Sequence, residues 1–289
     1  MTCVIENLDE MKAWSRRLPL EDRNLGFVPT MGYLHEGHLA LVRESKKVCR
    51  QTVVSIFVNP MQFGPTEDYA HYPVDLERDR ALLKELDVDV LFLPKKEDLY
   101  PGGFCTSVRV AGLTENLCGG SRPHFFEGVT TIVLKLFHLV QPDRAFFGEK
   151  DRQQLGVIRK MVRDLDMGIT IEGRPTIREP DGIAMSSRNA YLAPEERQSA
   201  RALYLALQSG KALIEKGERS ADAVRTHMRS IIESHPRTRI DYVSVCDPER
   251  FTELERVEDS ALLALAVHVG RARLIDNCLV ENISCSASC

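Results

Sequence analysis

From Leu25 onward the sequence alternates short apolar runs with amphipathic stretches of helical length, and that rhythm leaves few folds open. GFVPTM leads into a helical stretch over 36–50, VVSIFV into one over 75–86, and VDVLFLP follows. A helix over 129–140, an apolar run from Arg144 to Phe147, a helix over 152–165 and a strand over 169–171 continue the series. Strand alternating with helix predicts parallel strands covered by their own connections. VVSIFV and VDVLFLP are apolar without interruption, as strands buried on both faces must be, while Glu44, Lys46 and Lys47 mark a solvated helix face. The first half is therefore expected to be an α/β domain built on a doubly wound, Rossmann-like parallel sheet.

The rhythm changes after Pro175. The loop REPDGIAMSSRN precedes two helical stretches, 194–216 and 221–234, the first opened by Pro194 with Glu195 and Glu196. DYVSVC, ALLALAV and ARLID follow without crossover helices, which predicts a small antiparallel sheet. The expected division is a domain over 1–177 and a smaller α+β domain over 178–289, ending in a frayed polar tail, SCSASC.

Composition excludes several classes. Among 289 residues, 38 Lys and Arg stand against 42 Asp and Glu, so no basic field attracts a nucleic-acid backbone. The eight cysteines form no CxxC pair and no Cys/His cluster at zinc spacing, which predicts a reduced, cytoplasmic setting. The amino terminus lacks the basic start and apolar stretch of a secretory signal, and the longest apolar run, Ala261 to Val267, is far too short to span a bilayer.

Four segments carry candidate chemistry. In PTMGYLHEGHLALV a strand ends, a glycine turn follows, and His35 and His38 stand at the start of a helix, where unpaired N–H groups suit phosphate. Imidazoles there can donate to phosphoryl oxygens, and Gly37 leaves room for a flat nucleotide; the same pattern also describes two surface histidines. Neither GxxxxGK[ST] nor GxGxxG is present, which disfavours kinase and dehydrogenase readings. In FFGEKDRQQL, again at a strand's carboxyl end, Lys150 offers a mobile cation, Asp151 an orienting carboxylate or a plain helix cap, and Gln154 lies one turn further on. MSSRN places two hydroxyls and a guanidinium, Ser186, Ser187 and Arg188, in a loop suited to a triphosphate or to an ordinary linker. SIFVNPMQFG puts Asn59 and Gln62 beyond a buried strand, where amides match a ligand carrying hydroxyl and carboxylate, while Phe57, Met61 and Phe63 read as walls.

Taken together, PTMGYLHEGH, SIFVNPMQFG, FFGEKDRQQL, DGIAMSSRNAYL and RLIDN resemble, in order and spacing, the pantothenate synthetase family of the HxGH nucleotidylyltransferase superfamily. The resemblance spans nearly the whole chain. It implies a ligase that condenses pantoate with β-alanine: pantoate's carboxylate attacks the α-phosphate of ATP, and the amine then displaces AMP from pantoyl adenylate. By carry-over, ATP is held by Met31, Gly32, His35, Gly37, His38, Gly148, Glu149, Lys150, Asp151, Ile177, Met185, Ser186, Ser187 and Arg188. The catalytic group is His35, His38, Lys150 and Arg188, with His38 as proton donor, and Gln62, Gln154 and Asn59 bind pantoate and β-alanine. Adenylyl transfer needs in-line placement and charge stabilisation rather than a side-chain nucleophile, and these residue types supply that. Magnesium riding on the phosphates, near Asp151, needs no dedicated protein cage. MSSRN becomes the lid over a hydrolysable anhydride, and a homodimer is expected.

Three positions depart from the family pattern: Val74 replaces an arginine, Cys118 a glutamate, and in SRPHFFEG His124 falls one place early with Phe125 in the histidine's position, leaving the roles of Arg122 and of loop 112–128 open. Two other readings compete: an HxGH nucleotidylyltransferase with a different small acceptor, and a non-catalytic RNA-binding relative of a synthetase, which the acidic balance disfavours.

Overall fold

A computed structural model describes residues 2–18, 23–65 and 67–281. The SCSASC tail lies outside the described residues. The chain forms two compact units: the first holds residues up to 111, 122–149 and 154–177, the second 112–121, 150–153 and 178 onward.

The first unit is built on a six-stranded, all-parallel sheet in the order β1-β4-β3-β2-β5-β6. Its strands are β1 (Cys3–Ile5), β2 (Leu25–Thr30), β3 (Gln51–Ile56), β4 (Val90–Phe92), β5 (Arg144–Gly148) and β6 (Thr170–Arg174). Its helices are α1 (Leu8–Arg16), α2 (Glu36–Val48), α3 (Leu76–Glu85), α4 (Lys96–Leu99), α6 (Phe125–Val140) and most of α7 (Arg152–Asp164), with α5 (Cys118–Ser121) falling in the second unit. Successive strand residues face opposite sides, so each strand feeds two cores. Val28, Val54, Leu91 and Phe146 meet Leu39 and Val42 of α2 and Leu83 of α3 on one side. On the other, Phe137 of α6 sets its ring edge-on to Phe27 at 6.2 Å and to Phe147 at 6.5 Å. Each fully buried side chain of this size contributes about 1.5–3 kcal/mol. Strand β2 lies between β3 and β5, so the order reverses beside it, and open sheets keep ligands at the carboxyl ends of strands at such a point.

The second unit carries a three-stranded antiparallel sheet, β7 (Thr238–Cys246), β8 (Ala261–Val269) and β9 (Ala272–Val280), with helices α8 (Pro194–Glu215) and α9 (Ala221–Glu233). One face packs Leu263, Leu265 and Val267 against Leu203, Leu207, Val224 and Met228. The other packs Leu262 and Ala264 with Phe251, Leu113 and Leu117. Coverage on both faces explains why β8 reads ALLALAV rather than alternating. Among the described residues no helix is long and apolar enough to cross a membrane.

Candidate active site

Strand β2 ends at Thr30, and the chain turns into α2 through two consecutive residues with left-handed backbone, Gly32 (φ 84°) and Tyr33 (φ 50°). A tyrosine there is strained, and the turn is held by the buried carboxylate of Asp79 on α3, which accepts the Tyr33 and Leu34 N–H groups at 2.7 Å each. Burial pushes the Asp79 carboxyl above its ordinary range, against the pull of those two donors and of Arg78. His35 then caps α2: its Nδ1 accepts the Gly37 N–H at 3.2 Å, and the His35 N–H donates to His38 Nδ1 at 3.3 Å. The two rings lie 4.0 Å apart. Because Nδ1 is the acceptor in each, the neutral rings carry their proton on Nε2, the tautomer that can donate to a phosphoryl oxygen.

Met31 and Gln62 are brought beside this turn, with Gln62 Nε2 donating to Met31 Sδ at 2.9 Å. Asn59, almost fully buried, donates to Gln62 Oε1 at 3.2 Å and to the Gly128 carbonyl at 3.0 Å, and accepts from the Met61 N–H at 3.3 Å and Tyr100 Oη at 2.8 Å. Its amide is thereby fully used within the protein. Burial pushes the Tyr100 phenol well up, so it remains a donor. Gly128 lets α6 reach this segment: a Cβ there would stand 2.2 Å from the Met61 carbonyl oxygen. Arg122 adds a second hold, donating to the Gln62 carbonyl at 3.0 Å, pairing with Glu67 at 2.5 Å and lying 3.8 Å from the Phe125 ring centroid. Gly148 and Glu149 follow at the carboxyl end of β5, Gln154 stands half-buried on the first turn of α7, and Ile177 is the last residue of this unit.

The second unit holds the other sequence-derived candidates. Lys150, its side chain 18% exposed, has Nζ 3.7 Å from Asp151 Oδ2. Met185 leads into Ser186, which caps the short 3-10 turn Ser187–Tyr191 by accepting the Arg188 N–H at 3.3 Å. Ser187 is buried and Arg188 half-buried. Lys150 and Ser186 line one cavity with Asn189 and Asp276. Asn189 keeps its Oδ1 buried and unbonded within the described residues while its Nδ2 donates to Glu179 at 2.7 Å and to the Ala184 carbonyl at 3.1 Å.

Several residues that organise these segments had no signal in the sequence. Asp79 reads there as one more acid in a charged helix, and Gln153 as a neighbour of Gln154. In the structure Gln153 is buried and holds residues 113–118 through the Leu113 and Asn116 carbonyls and the Cys118 N–H. At the departing positions, Val74 is 65% exposed, Phe125 receives Arg122, and Cys118 Sγ lies 3.3 Å from Tyr242 Oη and 3.6 Å from Arg273.

Comparisons with known proteins agree on one family. The family model described as Pantoate-beta-alanine ligase matches residues 3–279. The pantothenate synthetase of Caldicellulosiruptor bescii is 51% identical over 278 residues, covering 96% of this chain and 99% of the relative. That of Moorella thermoacetica is 56% identical over 258 residues, 89% of this chain and 91% of the relative. A crystal structure of pantothenate synthetase from Thermus thermophilus superposes with a TM-score of 0.91 at 46% identity, covering 98% of this chain and 99% of that one. The pantoate-beta-alanine ligase of Francisella tularensis, complexed with beta-gamma ATP and beta-alanine, matches at a TM-score of 0.81 and 32% identity, over 96% of this chain and 98% of that one.

Proposed function

The chain belongs to the pantoate–β-alanine ligase family, and we propose that it condenses (R)-pantoate with β-alanine in an ATP-dependent reaction that passes through pantoyl adenylate. The observation that carries this reading is the imidazole pair at the start of α2, each Nδ1 tied to backbone so that Nε2–H is the donor. In the first step a carboxylate oxygen of pantoate attacks the α-phosphorus, the bond to the bridging oxygen breaks, and pyrophosphate leaves with the electron pair. His35 and His38 donate to the phosphoryl oxygens, and Lys150 and Arg188 neutralise the charge that moves onto pyrophosphate. Met31, Gly32, Gly37, Gly148, Glu149, Asp151, Ile177, Met185, Ser186 and Ser187 complete the nucleotide contacts. In the second step the β-alanine nitrogen attacks the acyl carbon and sheds a proton, and AMP departs. Gln62 and Gln154 bind pantoate; Asn59, its amide already satisfied, acts by fixing Gln62.

Among the described residues no group of three or more His, Cys, Asp or Glu side chains could hold a metal ion. Magnesium carried mainly by phosphate and water would call on Asp151 as the nearby carboxylate. Bound there, magnesium would supply charge neutralisation on the triphosphate. A cytoplasmic setting agrees with the free thiols of Cys3, Cys49, Cys105, Cys118, Cys246 and Cys278, and a homodimer is the assembly this reading expects.

The test is stepwise. Purified protein with ATP, magnesium and pantoate should release a limited burst of pyrophosphate, and β-alanine should then start turnover to AMP and pantothenate. His38→Ala and Lys150→Ala should each slow the burst by about a hundredfold or more without loss of fold. Wild-type rates in both variants would overturn the site assignment, and no pyrophosphate or AMP under any condition would overturn the reaction.

A further inference from the structure

RLIDN is the one sequence motif to which the reaction assigns no task, and its last two residues bond to the backbone of Lys150 and to Arg178, at the start of the loop that leads into Ser186. Asn277 Nδ2 donates to the backbone carbonyl of Lys150 at 2.9 Å. Its neighbour Asp276, 3% exposed, grips Arg178 in a two-pronged pair, with Oδ2 at 2.6 Å and Oδ1 at 3.0 Å, and its Oδ1 also accepts the Asn277 N–H at 2.8 Å.

Arg178 is the keystone of the turn that leads into Ser186. It donates to the Gly182 carbonyl at 3.0 Å, lies 4.7 Å from the Tyr204 ring centroid, and pairs as a β-bridge with Ala184. The Ala184 carbonyl and Glu179 in turn accept from Asn189, and Arg197 pairs with Glu179 and with Asp181. Residues 178–189 thus form one bonded frame around Ser186, Ser187 and Arg188, and Asp276 ties it to β9. Lys150, Ser186, Asn189 and Asp276 line the same cavity.

We propose that Asp276 and Asn277 are positioning residues for ATP: adjacent on one strand, they set the spacing between Lys150 and the Ser186–Arg188 segment, Asn277 through the Lys150 carbonyl and Asp276 through Arg178. A rigid strand suits this task because two consecutive residues are separated by a fixed rise and depart to opposite faces. A partly buried two-pronged carboxylate–guanidinium pair fixes direction as well as distance. The proposal rests on the reading of Lys150 and Ser186–Arg188 as the triphosphate site.

The experiment compares Asn277→Ala, Asn277→Gln, Asp276→Asn and Lys150→Ala in the full chain, with thermal melts and with KM for ATP, KM for pantoate and kcat of pyrophosphate release. A misplacement near 1 Å of a phosphate ligand slows transfer by roughly a hundredfold, so a partial release of Lys150 should raise KM for ATP or lower kcat by about ten- to hundredfold. Asn277→Ala is expected to show that loss with KM for pantoate within about twofold of wild type, and Asn277→Gln, which keeps the amide, to recover part of it. Asp276→Asn should act in the same direction. The proposal is overturned if Asn277→Ala keeps wild-type constants while Lys150→Ala is crippled, or if activity in every variant falls only in proportion to the folded fraction. Wild-type constants in Lys150→Ala would instead overturn the site reading and the proposal with it.

Discussion

Replacing Asp79 tests whether the turn that presents His35 and His38 is held from outside itself. The carboxylate accepts two backbone N–H groups at 2.7 Å, both from a turn whose Gly32 and Tyr33 have φ of 84° and 50°. Hydrogen bonds to a charged group are worth about 1.5–3 kcal/mol each. Burial opposes ionisation here and raises the carboxyl pKa, so the lower part of that range applies. Asp79→Asn keeps one acceptor and turns an NH2 toward the other N–H, a loss of about 1.5–2 kcal/mol. In a large domain that lowers Tm by roughly 3–8 °C. Asp79→Ala strands both donors and should cost about 3–5 kcal/mol. The functional effect exceeds the stability effect, because a left-handed tyrosine without its clamp relaxes and moves the cap of α2. Pyrophosphate release by folded Asp79→Asn should fall about ten- to hundredfold. The assay pairs calorimetric melting with single-turnover pyrophosphate release. Wild-type Tm together with a wild-type burst in Asp79→Asn would refute the clamp.

Two further perturbations separate other parts of the molecule. Gly128→Ala would place a Cβ 2.2 Å from the Met61 carbonyl, so α6 and the Asn59–Gln62 segment must part; we expect a loss of about 1–3 kcal/mol in stability and a roughly tenfold rise in KM for pantoate, and equal rises for ATP and pantoate would contradict it. His268 on β8 pairs in register with Arg239 of β7 and Arg273 of β9, and burial first, then these two cations, lower its pKa from 6.5, against Asp241. Below 6.5 the unfolded chain takes up the proton before the folded one, so stability should fall as pH drops from 6.5 to the folded pKa and level off beneath it; urea midpoints of His268→Gln should lack that slope, and the same slope in both proteins would dispose of the assignment.

The sequence was most legible where burial on both faces forces continuous apolar runs, as in β3, β4 and the central β8. It was least legible at sheet edges. Strand β1 has only three residues, Cys3–Ile5, too few to show a period, and it enters the fold by pairing with β4. Strand β6 was expected over 169–171 but runs Thr170–Arg174, because an edge strand with one open side reads TIEGR rather than as an apolar run. Helix α1 opens on Asn7, whose side chain accepts the Asp9 and Glu10 N–H groups, so its one local signal is a single capping residue. The motif residues stood out because their neighbours in sequence are their neighbours in the turn: His35, Gly37 and His38 bond one another.

What holds those motifs lies far along the chain, and no local pattern encodes it. Asp79 clamps a turn 45 and 46 residues away, Asn277 reaches Lys150 across 127, and Arg178 meets Asp276 across 98. The same non-local bonding decides which unit a residue joins. Gln153 is bonded to residues 113, 116 and 118, and with it Lys150 and Asp151 belong to the second unit, whereas Gln154, the next residue, belongs to the first. FFGEKDRQQL is continuous in sequence yet divided in structure. Of the groups named in the proposal, Gln62 and Gln154 lie in the first unit with His35 and His38, and Lys150 and Arg188 lie in the second. A substitution that loosens Asn277 should therefore act on ATP before it acts on pantoate, and one that loosens Gly128 should do the reverse.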